Sequence, residues 1–496
     1  MMLGGKMWSD KLVSAILERS YSKGWPERFK AGFEALFGAD GGRYPESARR
    51  VVTLRAPAPS QDSEGIVPFA ALIHPNNPNS GAYGGTSFAV FPGEDAPCLI
   101  SLVVGTGGLA PDEAILGRPG HARKAAAICK WLNGGQQKLV AWSKHDPTRL
   151  DQSVPQKIAE DFAQYSAAIA RYGNVLYAIY APGSDLRQTS EALTAFLDLM
   201  FEERGVRPLA RFEAEAREIR THWFHHLMPE VSNAEVAQLL NERHYVILQG
   251  PPGTGKTHMA RELIETEYQG RGKTIQFHAN TTYENFIGGL APISSSEGLG
   301  FHFAPRKGFL IEAAEQARNS GGKYLLHIDE INRADLSKVL GEAIYLLEPD
   351  DLERRVIELP YKFEPPTGEQ LSLPDNLHIL GTMNTSDRSL AILEIAIRRR
   401  FAFTRLWPQV SVVEREGCDL MKQAFQSLLT IFVDHATEDA MDLVPGHSYF
   451  LESNEHKARR QLETTLKPLL QDYLNQGYVS SFAEAMRSYV QWIDSL

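Results

Sequence analysis

The stretch HYVILQGPPGTGKTHMAREL (244–263) places a glycine-rich loop between an apolar strand pattern and a helical pattern. The loop fits G-x-x-x-x-G-K-T at Gly250, Gly255, Lys256 and Thr257. Glycines let the backbone curl until several N–H groups face one phosphate, and the positive end of the following helix strengthens that field. The stretch therefore predicts an α/β fold with a nucleotide phosphate site, in preference to a chance glycine turn.

The residues of this loop have separate expected roles. Lys256 is expected to reach the β and γ phosphates, and the Thr257 hydroxyl to ligate Mg²⁺. The predicted nucleotide-binding residues are Gly250, Pro251, Pro252, Gly253, Thr254, Gly255, Lys256 and Thr257.

A second apolar run, Tyr324 to Ile328, ends at the acidic pair Asp329 and Glu330. In a parallel sheet, ligands bind beyond the carboxyl ends of the strands. We expect Asp329 to hold the Mg²⁺ shell and Glu330 to orient and polarise the attacking water. A solvated acidic turn is the plain alternative, and the phosphate loop makes it the weaker one.

The segment GTMNTSDRSL (381–390) follows a third apolar run and carries polar side chains where a buried strand should end. Asn384 stands at that end, where its amide would sense the γ phosphate or position the attacking water. The alternative is a turn-forming asparagine. Asp387 and Arg388 follow closely and are interpreted as residues that bridge to a neighbouring subunit.

Three consecutive arginines, Arg398, Arg399 and Arg400, end the helical pattern SLAILEIAIRRRF. Basic residues at a helix C-terminus stabilise its dipole, but three in succession exceed that need. We expect Arg399 or Arg400, unresolved between them, to enter the nucleotide site of an adjacent subunit as an arginine finger. Arg398 is a candidate for the same interface.

The chain of 496 residues is too long for one ordinary core. Its texture indicates a mixed α/β or α+β region (1–185), a helical connector (186–231) and a third region (232–496) in which strands and helices alternate. The net charge of −10 argues against nonspecific coating of DNA. No apolar stretch suggests a membrane span, and no signal peptide is evident, so we expect a cytoplasmic protein. The scattered cysteines disfavour a zinc or disulfide framework.

Over residues 232–496 the sequence resembles the McrB family, the AAA+ motor subunits of modification-dependent restriction systems. The matching segments are GPPGTGKT, IQFHANTTYENFIGGLAP, LLHIDEINRADLSKVLGE, GTMNTSDRSLAILEIAIRRRF and PGHSYF. The resemblance implies a nucleotide-binding core with a parallel sheet flanked by helices (232–408), a C-terminal helical lid (409–496) and a ring that is usually a hexamer. Residues 1–185 would then form a domain that recognises the target or a partner. It also implies a McrC-type partner that carries the nuclease, and GTP as substrate with ATP close behind.

The chain departs from the family in two places. Asn285 replaces an acidic residue in the segment YENF, and the N-terminal half does not resemble the family's methylcytosine-reading domain. DNA is expected to be reached through the N-terminal domain or the partner. His447, in the GHSYF segment, is interpreted as a lid histidine that its neighbours satisfy, with no catalytic role.

Two other functions compete with a restriction motor. A MoxR-like ATPase would remodel a protein substrate without DNA, but the MNT-x-DRS and RRRF segments favour the restriction motor. A binding module with a decayed nucleotide site is disfavoured because Lys256, Thr257, Asp329 and Glu330 are all intact.

Overall fold

A computed structural model describes residues 8–19, 21, 24–38, 40–56, 67–294, 301–348, 355–386 and 394–496. Asp387 and Arg388, the expected bridging residues, lie outside the described residues. The chain divides into two compact units, Met1–Pro229 with Val433–Ala436, and Glu230–Phe432 with Thr437–Leu496. Along the described stretches, no helix combines the length and apolar character needed to cross a bilayer.

The first unit is built on an antiparallel sheet. Its strands are β1 (Thr53–Arg55), β2 (Ala70–Ile73), β3 (Thr86–Phe91), β4 (Leu99–Val104), β5 (Ala141–Ser143) and β6 (Leu176–Tyr180). They pair in the order β1-β2-β3-β4-β6-β5. The helices are α1 (Trp8–Leu17), α2 (Trp25–Glu34), α3 (Glu113–Leu116), α4 (Pro119–Asn133), α5 (Gln156–Asp161), α6 (Ser166–Tyr172), α7 (Leu186–Glu203) and α8 (Glu213–Leu227).

Apolar side chains cover both faces of this sheet. Because successive side chains of a strand point to opposite faces, β3 contributes to two separate cores. Phe88 and Val90 belong to the larger core, whereas Ala89 and Phe91 belong to the smaller one beside α6. The mixed α/β expectation for this region is therefore confirmed.

Helices α7 and α8, which we expected to form a separate connector, contribute to the larger core of the first unit. Leu193 and Phe196 of α7 are fully buried there, and Trp223 of α8 packs in the same cluster. The amphipathic pattern that suggested a linker is the apolar stripe by which these helices pack against α4.

The second unit contains a parallel sheet. Its strands are β7 (Tyr245–Gly250), β8 (Gly272–Gln276), β11 (Tyr324–Asp329), β14 (Leu377–Asn384) and β15 (Ala402–Arg405). Two separate two-stranded sheets are formed by β9 (Gly288–Ser294) with β10 (Phe301–Lys307), and by β12 (Ile357–Glu358) with β13 (Gln370–Leu371). The parallel strands are ordered β15-β7-β14-β11-β8. Consequently the strands that precede the phosphate loop, the acidic pair and Asn384 are neighbours.

Helices cover both faces of the parallel sheet and form the C-terminal region. They are α9 (Asn233–Arg243), α10 (Lys256–Thr266), α11 (Tyr283–Phe286), α12 (Phe309–Asn319), α13 (Leu336–Leu340), α14 (Ile395–Arg398), α15 (Val410–Glu416), α16 (Asp419–His435), α17 (Glu455–Gln461), α18 (Lys467–Asn475) and α19 (Ala483–Asp494). On β7, Val246 and Leu248 pack towards α9 and α10, while Tyr245 and Ile247 pack on the opposite face. The predicted sheet flanked by helices, with a helical C-terminal region, is confirmed.

Candidate nucleotide-binding site

The phosphate loop between β7 and α10 contains glycines whose backbone conformation other residues rarely adopt. Gly253 and Gly255 have φ angles of +79° and +80°, in the left-handed region that side chains disfavour. Lys256 is the first residue of α10, directly after Gly255. The N–H groups of the last loop residues therefore lie next to the N-terminus of α10, and this arrangement is typical of a phosphate-binding site.

Lys256 is 7% exposed and is held by the loop itself. Its Nζ donates to the carbonyl oxygens of Gly250 (3.0 Å) and Pro251 (2.7 Å). Burial lowers the pKa of the Lys256 amine to about 8, although Glu330 and Asp329 act in the opposite direction. An incoming phosphate would replace these carbonyl oxygens and favour the charged amine.

Asp329 accepts two hydroxyl hydrogen bonds at the tip of β11. Thr257 Oγ1 donates to Asp329 Oδ1 over 3.1 Å, and Thr382 Oγ1 donates to the same oxygen over 2.5 Å. Thr382 was not among the predicted site residues. The signal was present in the sequence, because Thr382 and Asn384 are two residues apart on one strand and so share a face.

The pair of Thr257 and Asp329 fits a magnesium ion. Both side chains offer oxygen ligands. In such sites Mg²⁺ typically binds one or two protein ligands, and water and substrate phosphates supply the others. Among the described residues, no group of three or more His, Cys, Asp or Glu side chains is arranged to hold a metal.

Glu330 has an unusual backbone and a fixed side chain. Its φ angle is +54°, which is rare for a residue other than glycine and is commonest at functional sites. Asn384 Nδ2 donates to Glu330 Oε1 over 2.7 Å. Glu330 Oε2 is buried without a hydrogen-bond partner, and Arg333 Nε lies 3.3 Å from it. One carboxylate oxygen is therefore anchored, while the other remains able to accept a proton donor such as water.

The three arginines differ sharply in environment. Arg400 donates to the carbonyl oxygens of Ile344 (2.8 Å) and Ala396 (2.6 Å) and pairs with Glu348 at 3.0 Å. Arg399 has a side chain that is 66% exposed and lies 3.6 Å from Glu348. Arg398 lies over the Phe403 ring, 5.4 Å from its centroid. The guanidinium of Arg400 is thus engaged within its own chain, whereas Arg398 and Arg399 are both exposed.

Comparison with known proteins agrees with this geometry. The AAA domain (dynein-related subfamily) profile matches residues 245–401. The type IV methyl-directed restriction enzyme EcoKMcrB subunit of Escherichia coli (strain K12) is 30% identical over 362 residues, which is 66% of this chain and 77% of that protein. The YdiS component of the type II restriction enzyme BsuMI of Bacillus subtilis (strain 168) is 26% identical over 195 residues, which is 32% of this chain and 56% of that protein.

Similar solved structures include a putative ATPase from Cytophaga hutchinsonii ATCC 33406 (13% identity, TM-score 0.24, 52% of this chain and 79% of that one) and C. elegans PCH-2 (17% identity, TM-score 0.22, 52% and 68%). TM-scores this low do not support a structural comparison, so the family assignment depends on the proteins that are similar in sequence. The identity to the E. coli subunit extends well beyond the AAA domain profile, over most of that protein. With the phosphate loop, the acidic strand tip and Asn384 assembled at one sheet edge, the chain belongs to the McrB-like family of AAA+ P-loop nucleoside triphosphatases.

Proposed function

We propose that this chain hydrolyses GTP or ATP as the ring-forming motor of a McrBC-like restriction system that defends against foreign DNA such as that of phages. The observation that carries the hydrolytic part is the convergence of Lys256, Asp329 and Glu330 at adjacent strand tips. Asp329 is joined to Thr257 in the phosphate loop's helix by a 3.1 Å hydrogen bond. Such a cluster has the parts that phosphoryl transfer to water requires.

In this proposal the residues divide the work. Lys256 exchanges the carbonyl oxygens of Gly250 and Pro251 for phosphate oxygens, and the N–H groups of the loop orient the chain of phosphates. Thr257 and Asp329 would hold Mg²⁺, which when bound would neutralise charge that develops on the phosphates. Glu330, anchored through Oε1 by Asn384, accepts a hydrogen bond from the attacking water at Oε2.

A second copy of the chain completes the site in this proposal. Arg399 is exposed and reaches outward from the end of α14, which suits a finger that acts in a neighbouring subunit. An arginine finger contributes about 10³- to 10⁵-fold in rate. The closed ring is proposed to be a hexamer, as the family resemblance implies.

The restriction role is supported by the relatives, since both named proteins are parts of restriction enzymes. We therefore propose a McrC-type nuclease partner, with DNA reached through the first unit or through that partner. The same relatives do not favour a MoxR-like role in protein remodelling. Residues 409–496 are proposed to act as the lid of the nucleotide site.

Side-by-side hydrolysis of GTP and ATP tests the proposal, with and without Mg²⁺ and with and without the product of the neighbouring gene. We expect Mg²⁺-dependent turnover that the partner stimulates. Lys256→Ala should abolish tight nucleotide binding, because no other described cation lies in the loop. Unchanged affinity in that variant would overturn the assignment of the phosphate site.

A further inference from the structure

A line of polar side chains crosses one face of the parallel sheet and ends at Asp329. Thr274 of β8 and His327 of β11 are register partners. His327 also pairs with Leu380 of β14, and Thr382 lies two residues farther along that strand, so its side chain points to the same face. Leu380 belongs to the apolar core that packs against α10. A polar line within such a face is unusual, because buried side chains are mostly apolar.

These side chains lie within hydrogen-bond distance of one another. His327 is fully buried and Thr382 is 2% exposed. His327 Nδ1 lies 3.2 Å from Thr274 Oγ1, and His327 Nε2 lies 3.5 Å from Thr382 Oγ1. Thr382 Oγ1 in turn donates to Asp329 Oδ1 over 2.5 Å. Side chains from three neighbouring strands are therefore connected to the carboxylate that is expected to hold Mg²⁺.

The direction of this chain follows from the chemistry of its last two members. A hydroxyl group has one proton, and an ionised carboxylate can only accept a hydrogen bond. The Thr382 proton therefore lies towards Asp329, and Thr382 Oγ1 accepts from the Nε2–H of His327. The 2.5 Å distance between Thr382 and Asp329 is typical of a hydroxyl that donates to a charged oxygen.

The contact with Thr382 restricts the Asp329 carboxylate. Thr257 Oγ1 and Thr382 Oγ1 donate to the same oxygen, Oδ1. The terminal torsion of an aspartate is broad when no such contact restrains it. Thr257 begins α10 on one side of the carboxylate, whereas Thr382 is part of β14, the strand that pairs with β11. The carboxylate is therefore held from the sheet as well as from the phosphate loop's helix.

We propose that Thr382 is a positioning residue that holds the Asp329 carboxylate in the orientation that binds Mg²⁺. This inference rests on the proposed function, because it requires a metal ion at Asp329. Hydrogen-bond partners of metal-ligating carboxylates typically change metal affinity about 10- to 100-fold when they are removed. Thr382 acts through Asp329, so nucleotide binding in the absence of a metal ion should not depend on its hydroxyl.

Binding of Mn²⁺ tests this inference directly. Mn²⁺ also prefers oxygen ligands, and its EPR signal reports binding without turnover. In Thr382→Val a methyl group of similar size replaces the hydroxyl. We expect the Kd of Mn²⁺ for the complex with a non-hydrolysable GTP or ATP analogue to rise at least about tenfold. Affinity for mant-GDP or mant-ADP in EDTA should stay at the wild-type value.

Three further variants make the test specific to the hydroxyl group. Thr382→Ser keeps the hydroxyl and should retain most of the Mn²⁺ affinity. Thr382→Ala removes the hydroxyl and adds no bulk, so it should reproduce the loss even if Thr382→Val fails to fold. Thr404→Val is the matched control, because Thr404 lies on β15, which does not adjoin β11, and its Mn²⁺ affinity should be unchanged.

The outcomes separate this inference from the proposed function. Wild-type Mn²⁺ affinity in Thr382→Val and Thr382→Ala, alongside weakened affinity in Asp329→Ala, would overturn the inference and leave the proposed function standing. An equal loss in Thr382→Ser would also overturn it, because the hydroxyl would then not be responsible. Wild-type Mn²⁺ affinity in Asp329→Ala would instead defeat the metal site of the proposed function.

Discussion

The side-chain amide of Asn384 donates to the carboxylate of Glu330 over 2.7 Å, between the tips of the neighbouring strands β14 and β11. The two residues are 54 positions apart in sequence, and the parallel pairing of their strands brings them together. The hydrogen bond fixes the orientation of a carboxylate whose own backbone is strained at φ +54°. Asn384 therefore contacts Glu330 directly, and we propose that it positions the attacking water through that contact.

Replacing Asn384 by alanine should slow hydrolysis without weakening nucleotide binding. Glu330 would lose the donor that orients it, and a mispositioned general base typically costs about 10²-fold in kcat. Steady-state turnover and mant-nucleotide titration measure the two quantities separately. Gln276→Ala is the matched control, because Gln276 is an exposed amide at the end of β8 on the same sheet edge and should leave kcat unchanged. Equal kcat for Asn384→Ala and the wild type would contradict the assigned role.

The Glu330→Gln variant should bind nucleotide and assemble but fail to turn over. Glutamine keeps an oxygen for the Asn384 amide, so the strand tips remain joined, but it cannot accept a proton from water. We expect kcat to fall at least about 10²-fold, with a melting temperature close to that of the wild type. Single-turnover hydrolysis checks the chemistry directly. Retained turnover would mean that another group activates the water.

The depressed pKa of Lys256 predicts a pH dependence of nucleotide binding. In the free protein this pKa is about 8, and bound phosphate favours the ammonium form, so the pKa rises on binding. Below pH 8 the amine is already charged and affinity should be flat. Above it binding must take up a proton, so Kd should rise as much as about tenfold per pH unit. Titrations with ADP in EDTA from about pH 7 to 9.5 test this, with Lys256→Arg as the variant whose profile should stay flat.

The elements that sequence predicts well here are those whose chemistry is local. The phosphate loop, Asp329 and Glu330 each follow directly from a strand that the apolar pattern defines, so their place at one sheet edge could be predicted. Thr382 was within reach of the same reasoning, since alternate residues of a strand share a face. The packing partners of helices α7 and α8 could not be predicted in this way. An amphipathic pattern indicates that one face of a helix is buried, but it does not identify the element that buries it.

Contacts between distant segments account for what the sequence left open. Arg399 and Arg400 are adjacent and chemically identical, but Arg400 donates to the carbonyl oxygens of Ile344 and Ala396 and lies closer to Glu348. Likewise, His447 Nδ1 accepts a hydrogen bond from the N–H of Gln409, which lies 38 positions away in sequence. Such pairings depend on tertiary structure and leave no pattern along the chain.

Arg400→Ala should destabilise the protein, whereas Arg399→Ala should not. The buried Arg400 guanidinium donates to two backbone carbonyl oxygens and pairs with Glu348, so its loss leaves these part-buried acceptors unpaired. We expect a loss of about 2–4 kcal/mol in the free energy of unfolding for Arg400→Ala. Urea unfolding measures this free energy. Arg399→Ala is the control at the adjacent position, and its free energy of unfolding should be close to that of the wild type. If both substitutions lowered the free energy of unfolding equally, the assignment of a structural role to Arg400 alone would be wrong.

Mixing two inactive variants should restore hydrolysis if Arg399 acts on a neighbouring subunit. Arg399→Ala chains keep an intact phosphate loop, and Lys256→Ala chains keep an intact finger. In rings assembled at random from equal amounts, about one quarter of interfaces combine a working loop with a working arginine, so activity should reach about a quarter of the wild-type value. Sedimentation of differently labelled chains establishes that mixed rings form. Mixed rings with no recovery would mean that each chain completes its own site, and Arg399 would then lose its proposed role.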